Sequence, residues 1–253
     1  MKLALFGYGR MGRAVEEVAR DRGHEVGPIL DEPDNPEGRG ITPESLAGAR
    51  VAVDFSVAGA VADNVRAAAR HGVNVVVGTT GWDGEKETVE AAVRSAGTAI
   101  LSAPNFSIGM LLFERIVRSA ARLVDGAREL EAYDVHLSES HHRKKTDHPS
   151  GTARRLADLL IGELDVKTGW SAVLEEGAPV DEACLHVGVS RVGSVFGTHS
   201  VGIDGPNDRI VLEHQARSRA GFARGAVLAA EWIRDRSGIF TMKDVLGSRV
   251  GDG

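Results

Sequence analysis

"MKLALFGYGRMGRAVEEVARDRG", residues 1–23, decides the fold. Lys2–Phe6 is a short apolar run that ends in glycine, which predicts a buried strand. From Met11, apolar residues recur at helical spacing (Met11, Val15, Val18, Ala19), and Gly23 stops the pattern. Between strand and helix lie Gly7, Gly9 and Gly12 in a G-x-G-x-x-G pattern. The first glycine permits the tight turn, the second lets backbone approach a pyrophosphate, and the third packs helix on strand. The helix N-terminus then offers free N–H groups and partial positive charge to phosphates. With 31 glycines in the chain, the spacing alone is weak evidence, and the strand–turn–helix context makes it informative.

The same alternation continues outward. "HEVGPILD", "ARVAVDFS", "VNVVVGTTG" and "TAILSAPNFS" read as strands. "TPESLAG", "AGAVADNVRAAARHG" and "DGEKETVEAAVRSAG" read as helices between them, the first with Thr42 as cap and Pro43 at its first position. Glycine-bounded apolar strands alternating with helices imply a parallel sheet covered on both faces. Asp31 closes the second strand, about 20 residues past the glycine turn as the dinucleotide fingerprint requires, and its carboxylate can accept from an adenosine ribose. That charge, with Glu32 and Asp34 beside it, repels a 2′-phosphate, so NADH is expected to be preferred over NADPH. Ligands of such sheets sit beyond the strand C-termini. Phe55 in "VDFS", Gly78, Thr79 and Thr80 in "VVVGTTGW", and Ala103, Pro104, Asn105 and Phe106 in "SAPNFS" all fall there.

Beyond residue 106 the pattern changes. A long helix in "IGMLLFERIVRSAARLV" leads to "ARELEAYDVHLSESHH", where Leu130, Ala132, Asp134, His136 and Ser138 hint at alternation. A helix at "TARRLADLLIGEL", strands across residues 183–216 with a "DGPND" turn, and a helical tail from "GFARGAVLAAEWIRDRSG" complete the chain. We expect an α/β protein. It has a Rossmann-like dinucleotide-binding domain over 1–106, with the C-terminal helices of 217–253 packing back onto it. An α+β substrate and oligomerisation domain with a mixed or antiparallel sheet covers 107–216.

Bulk properties narrow the partners. The 253 residues suffice for a full core, and 42% hydrophobic with 26% charged residues is ordinary for a globular chain. A net charge of −6 disfavours nucleic acid and anionic membranes as partners. Leu3–Phe6 is far too short for a signal segment, and no apolar run nears the roughly 18 residues of a membrane span. Cys184 is the single cysteine, so no internal disulfide forms, and it reads as a small buried apolar residue. A cytoplasmic protein is expected.

"ESHHRKKTDHPSGT", residues 139–152, concentrates titratable groups. It admits a solvated basic loop, a metal site, a nucleic-acid patch or an anion-binding acid/base site. A zinc reading would draw on His136, His141, His142, His148 and Asp147, but the stretch has no HExxH or Cys pair, and three adjacent cations oppose a dication. No metal is expected. Nucleic acid fits neither the net charge nor the lack of interleaved aromatics. The anion reading fits best: Arg143, Lys144 and Lys145 hold carboxylates, N–H groups of Ser150, Gly151 and Thr152 at a helix start bind another, and a histidine delivers a proton. Ser150 or Thr152 also caps that helix.

Together "GYGRMGR", "VGTTGW", "APNFSIGM", "ESHHRKKTDHPSGTA" and the tail "RSRAGFARGAVLAAEWI…GIFTMKDVLG" resemble the dihydrodipicolinate reductase (4-hydroxy-tetrahydrodipicolinate reductase) family of lysine and diaminopimelate biosynthesis. The similarity runs over essentially the whole chain. It implies a cofactor loop of Gly7, Gly9, Arg10, Met11 and Gly12, Asp31 at the ribose, and Gly78–Thr80 with Ala103–Phe106 beside the nicotinamide. It implies His141 as proton donor, Lys145 as the second catalytic residue, and His142, Gly151 and Thr152 on the substrate carboxylate. It also implies a homotetramer and a dicarboxylate ring substrate that receives hydride at ring carbon 4. Two departures stand out: Glu32 and Pro33 follow the ribose acid where many members have a basic residue, and His148 precedes the proline where a small residue is usual. An NAD-binding redox sensor, or another small imino- or amino-acid dehydrogenase, would share the glycine turn but has no need of the histidine–lysine loop.

Overall fold

The computed structural model describes residues 1–31 and 34–250, so Glu32, Pro33 and the last three residues of the expected tail lie outside the described residues. The chain divides into two compact units, one of Met1–Ile108 with the chain from Arg219 onward, the other of Gly109–Ser218.

The first unit holds β1 (Lys2–Phe6), α1 (Arg10–Asp21), β2 (Glu25–Leu30), α2 (Pro43–Leu46), β3 (Val51–Asp54), α3 (Ala58–Arg70), β4 (Asn74–Val77), α4 (Lys86–Ala96) and β5 (Ala99–Ser102). With β11 (Gly238–Phe240) from the tail, its strands pair in parallel in the order β11-β5-β4-β3-β1-β2. Every residue of β3 and β4 is buried, as a sheet covered on both faces requires. One face packs Val61, Val65 and Ala68 of α3 and Val89 and Val93 of α4 against Phe6, Ala52, Val75 and Ile100. Pro28 is tolerated because β2 is an edge strand, and the β1–β2 register shifts beside it. Gly7 turns the chain at φ +85, where a Cβ would lie 2.6 Å from Phe55 O, and a Cβ on Gly12 would lie 2.3 Å from Gly7 O. The expected cap of α2 forms as a reciprocal pair of Thr42 and Ser45.

The tail from Arg219 is more than helical. α7 (Ala220–Ile233) is followed by β11 (Gly238–Phe240), a sixth parallel strand beside β5, and by α8 (Met242–Val250). Asn74 fixes the end of α7: its amide donates to the carbonyls of Ile233, Arg234 and Arg236, and its oxygen accepts from Ala99 N. On the α1 side, Glu231 of α7 accepts both a bidentate pair from Arg22 and a contact from His24 at 2.7 Å.

The second unit holds α5 (Ile108–Ala127), β6 (Asp134–His141), α6 (Gly151–Ile161), β7 (Gly169–Ser171), β8 (Cys184–Arg191), β9 (Thr198–Asp204) and β10 (Arg209–Gln215). Its sheet is mixed, in the order β10-β9-β6-β8-β7, with β6 antiparallel to β9 and parallel to β8. Met110, Phe113, Val117 and Ala121 form one stripe of α5, and Ala153, Leu156, Ala157 and Leu160 one stripe of α6. Both pack on Val135, Leu137, Leu185, Val187, Val201 and Ile203. The alternation of β6 is real, but its buried phase is Val135, Leu137, Glu139 and His141 rather than the even-numbered residues. Cys184 is half-buried rather than fully enclosed.

Candidate active site

In the first unit, a cavity of about 550 Å³ opens beyond the C-terminal ends of β1 and β3. Gly7, Gly9, Asp31 and Phe55 line it, with Tyr8, Asn35, Glu37, Ser56, Asp63 and Asn64. α1 starts there with Gly9 as N-cap, and no side chain caps it and no acid occupies its first turn. Gly9 is exposed, and a Cβ built on it would meet nothing within 4 Å. A bare helix start with open space over its second glycine fits a pyrophosphate, whose charge the helix dipole favours. Arg10, Met11 and Gly12 form the first turn behind it, with Gly12 buried.

The neighbouring loops are tied to a carboxylate that sequence reasoning passed over. Asp54, at the end of β3, is fully buried. Its Oδ1 accepts from Ser56 N (2.9 Å), Ser56 Oγ (2.7 Å) and Thr79 Oγ1 (2.9 Å), and its Oδ2 accepts from Asn64 Nδ2 (2.9 Å). Asn64 in turn accepts from Asn35 at 2.8 Å. One carboxylate thus anchors the loops of Asn35, Phe55–Ser56 and Gly78–Thr80. Phe106 is buried, its ring edge-on to Phe55 with centroids 6.0 Å apart, while Ala103, Pro104 and Asn105 run from β5 toward it. A charge inside an otherwise apolar strand was the available signal for Asp54.

In the second unit, His141 ends β6 and Ser150 caps α6, accepting from Ala153 N at 3.1 Å. Glu139 precedes His141 by two residues, so both point to the same face. The Glu139 carboxylate has no exposed side-chain surface. Its Oε1 accepts from Ser150 N (2.9 Å) and Arg191 Nη2 (3.0 Å), and its Oε2 lies 3.1 Å from His141 Nδ1 and 3.7 Å from His199 Nε2. Burial pushes this carboxyl up, but the close His141 ring and the hydrogen bonds from Ser150 and Arg191 outweigh that and hold it well below the usual carboxylate range. Burial, then the nearby His141, push His199 down to about 4 against the pull of Glu139. Ser150 is therefore committed within the protein: its N–H to Glu139 and its hydroxyl to Ala153 N and, at 3.3 Å, His199 Nε2.

Gly151 and Thr152 open α6, and a Cβ on Gly151 would meet nothing within 4 Å. Lys145 pairs with Asp147, Nζ to Oδ1 at 2.8 Å. Burial raises the Asp147 carboxyl, while Lys145 and the N–H of Gly151 lower it further. Asp147 is an acid sitting where an anionic ligand would meet the same lysine and helix start. His142 is half-buried, and His148 is exposed with Nδ1 3.1 Å from Thr146 O. Of the histidines weighed for a metal, only His141 joins a group of ligand spacing; its partners are Glu139 and His199, with ligand atoms within 4.8 Å. The Arg191 guanidinium on the same carboxylate and the nearby Lys145 charge oppose a dication there. Sequence reasoning missed Arg191 and His199, which the β6–β8 and β6–β9 pairings bring beside His141 and Glu139.

Residues 1–106 match the family model described as "Dihydrodipicolinate reductase, N-terminus", and residues 109–246 match "Dihydrodipicolinate reductase, C-terminus". The chain belongs to the dihydrodipicolinate reductase family. It is 39% identical over 246 residues to the 4-hydroxy-tetrahydrodipicolinate reductase of Christiangramia forsetii, covering 97% of this chain and 98% of that one. It is 36% identical to the namesake of Laribacter hongkongensis, covering 98% and 99%. Among solved structures, the dipicolinate-bound dihydrodipicolinate reductase from Paenisporosarcina sp. TG-14 superposes with a TM-score of 0.74 at 22% identity, covering 95% of this chain and 97% of that one. That last likeness shows the fold. Membership in the dihydrodipicolinate reductase family makes the chain an oxidoreductase, and its N-terminal region takes a nicotinamide dinucleotide. No helix among the described residues is long and apolar enough to cross a membrane.

Proposed function

We propose that this chain reduces 4-hydroxy-tetrahydrodipicolinate to tetrahydrodipicolinate with NADH and a proton, the ring hydroxyl leaving as water, as a cytoplasmic homotetramer. The observation that carries the reading is the loop from His141 to Thr152. A histidine backed by a buried carboxylate and a lysine four residues later lead directly into a helix start whose first residue has open space beside it. That combination suits a small ring diacid: cationic and N–H groups for carboxylates, and an imidazole for a proton.

When bound, a reduced nicotinamide supplies the hydride. The chain's residues do the rest. Gly7, Gly9, Arg10, Met11 and Gly12 hold the pyrophosphate, and Phe55, Gly78–Thr80 and Ala103–Phe106 flank the nicotinamide side. Gly151 and Thr152 receive one substrate carboxylate through backbone N–H groups, with His142 beside them. Ser150 supports them from inside as the cap. Lys145 stabilises charge that develops on the ring, and His141 returns the proton. The first unit serves as the cofactor domain, and the second as the substrate and assembly domain.

NADH is favoured over NADPH because Asp31 lines the cavity beside the glycine turn and its carboxylate repels a 2′-phosphate, while Glu37 and Asp63 of the same lining are paired with Arg39 and Arg66. Assembly through the second unit is supported by β10, an edge strand whose Ile210 and Val211 are half exposed. The test is a coupled assay in which dihydrodipicolinate synthase generates the substrate while nucleotide absorbance is followed with NADH and NADPH in turn. Cofactor oxidation is expected only when the synthase product is present, and faster with NADH. Absence of oxidation with either nucleotide would refute the reading.

A further inference from the structure

We propose that Glu139 is the positioning residue of His141: its buried carboxylate holds the Nδ1 side of the ring, so that Nε2 is the atom left to carry the proton. The inference rests on the reading of His141 as proton donor.

Glu139 and His141 are two apart on β6 and share its inward face. His141 Nδ1 is 3.1 Å from Glu139 Oε2, and neither atom makes a hydrogen bond elsewhere among the described residues. The two atoms lie at hydrogen-bond distance without full hydrogen-bond geometry, so the carboxylate holds the ring as a close polar contact. The carboxylate cannot turn away, because Ser150 N and Arg191 Nη2 hold its other oxygen at 2.9 and 3.0 Å. Those clamps come from separate elements, α6 and β8. From β9, the ring of His199 stands edge-on to His141, centroids 5.2 Å apart and planes at 75°. The titratable groups beside the imidazole are Glu139 and His199, with Arg191 on the same carboxylate and the Lys145 charge acting on His199.

Nε2 faces Gly197, at φ +149, where a Cβ would lie 2.9 Å from it. A substituent there would press on the atom that must exchange the proton. A carboxylate on one ring nitrogen fixes both the orientation and the tautomer of the other. It also balances the imidazolium before the proton leaves. Burying a carboxylate is costly unless it is paired, and here Arg191 and the Ser150 N–H compensate it on one oxygen while the other faces the His141 ring.

The experiment compares Glu139→Gln, Glu139→Asp and His141→Gln with the wild-type holoenzyme in the coupled assay, beside ¹⁵N spectra of the histidine rings. Glu139→Gln is expected to lower kcat about 10- to 100-fold with KM for NADH little changed. The basic limb of its kcat–pH profile should move to lower pH, since the imidazolium loses its counter-charge. Glu139→Asp should recover part of kcat. In wild type, His141 should carry its neutral-state proton on Nδ1. A wild-type kcat and pH profile in Glu139→Gln overturns the inference. So does an Nε2–H tautomer of His141 in the wild-type protein, a measurement that stands even if the variants do not fold. Loss of activity in His141→Gln alongside an unaffected Glu139→Gln removes this inference alone, whereas full activity in His141→Gln removes the function reading beneath it.

Discussion

Thr79 donates its hydroxyl to Asp54 across 2.9 Å, joining the loop after β4 to the end of β3. Asp54 also holds Ser56 and Asn64, so replacing it with alanine leaves four donor groups without their acceptor. Each such orphan costs about 1–3 kcal/mol. Asp54→Ala is therefore expected to lower the thermal midpoint by several degrees. It should also weaken nucleotide binding more than tenfold, because the loops of Asn35, Phe55 and Thr79 lose their common anchor. Differential scanning calorimetry and NADH fluorescence titration read the two effects. Unchanged nucleotide affinity would show that the loops hold their places without Asp54.

Lys145→Ala and His141→Gln should each lose most turnover, by about 10²- to 10⁴-fold, while NADH still binds. The nucleotide cavity is lined wholly by first-unit residues, so neither change reaches it. The coupled assay and NADH fluorescence, run on the same preparations, decide this. A near-wild-type rate in either variant refutes its assigned role.

The sequence made the local devices readable. The glycine turn, the Thr42 and Ser150 caps and the apolar runs of β1, β3 and β4 each follow from residues within a few positions of one another. β11 was not readable: three residues, Gly238–Phe240, become a strand only because β5 offers them an open parallel edge, and that pairing spans more than a hundred residues. β7, also three residues, takes its shape from β8 in the same way. The surroundings of His141 were half readable. Glu139 lay in the loop that drew attention, and period-two spacing places it on the same face. Arg191 and His199 are 50 and 58 residues beyond His141 and meet it only through sheet register. The buried phase of β6 was hidden because Glu139 and His141, both polar, occupy core-facing positions.

Asp31→Ser should move cofactor preference toward NADPH by about tenfold or more, measured as the ratio of kcat/KM for the two nucleotides. One carboxylate near a 2′-phosphate contributes on the order of 1.4 kcal/mol of repulsion, equivalent to a factor of ten. No movement in the ratio would place the ribose discrimination elsewhere.

Stability should fall as the solution is acidified through a window set by His199. In the folded chain burial pushes its pKa down to about 4, whereas in the unfolded chain the ring protonates near pH 6.5. Between those values the unfolded state binds the proton and the native state does not, so the native state is fully favoured above about pH 6.5 and loses ground down to about 4. The whole effect is on the order of 3 kcal/mol. Burial lowers His136 and His214 in the same unit, with the same sign. Glu139, held low, adds its own loss only once the pH drops below the ordinary glutamate value. Thermal midpoints of wild type and His199→Gln between pH 7 and pH 4 separate these contributions. The variant should show the shallower curve from about 6.5 downward and rejoin the wild-type slope where Glu139 begins to titrate, and parallel curves across the window would mean that His199 is protonated in the native state.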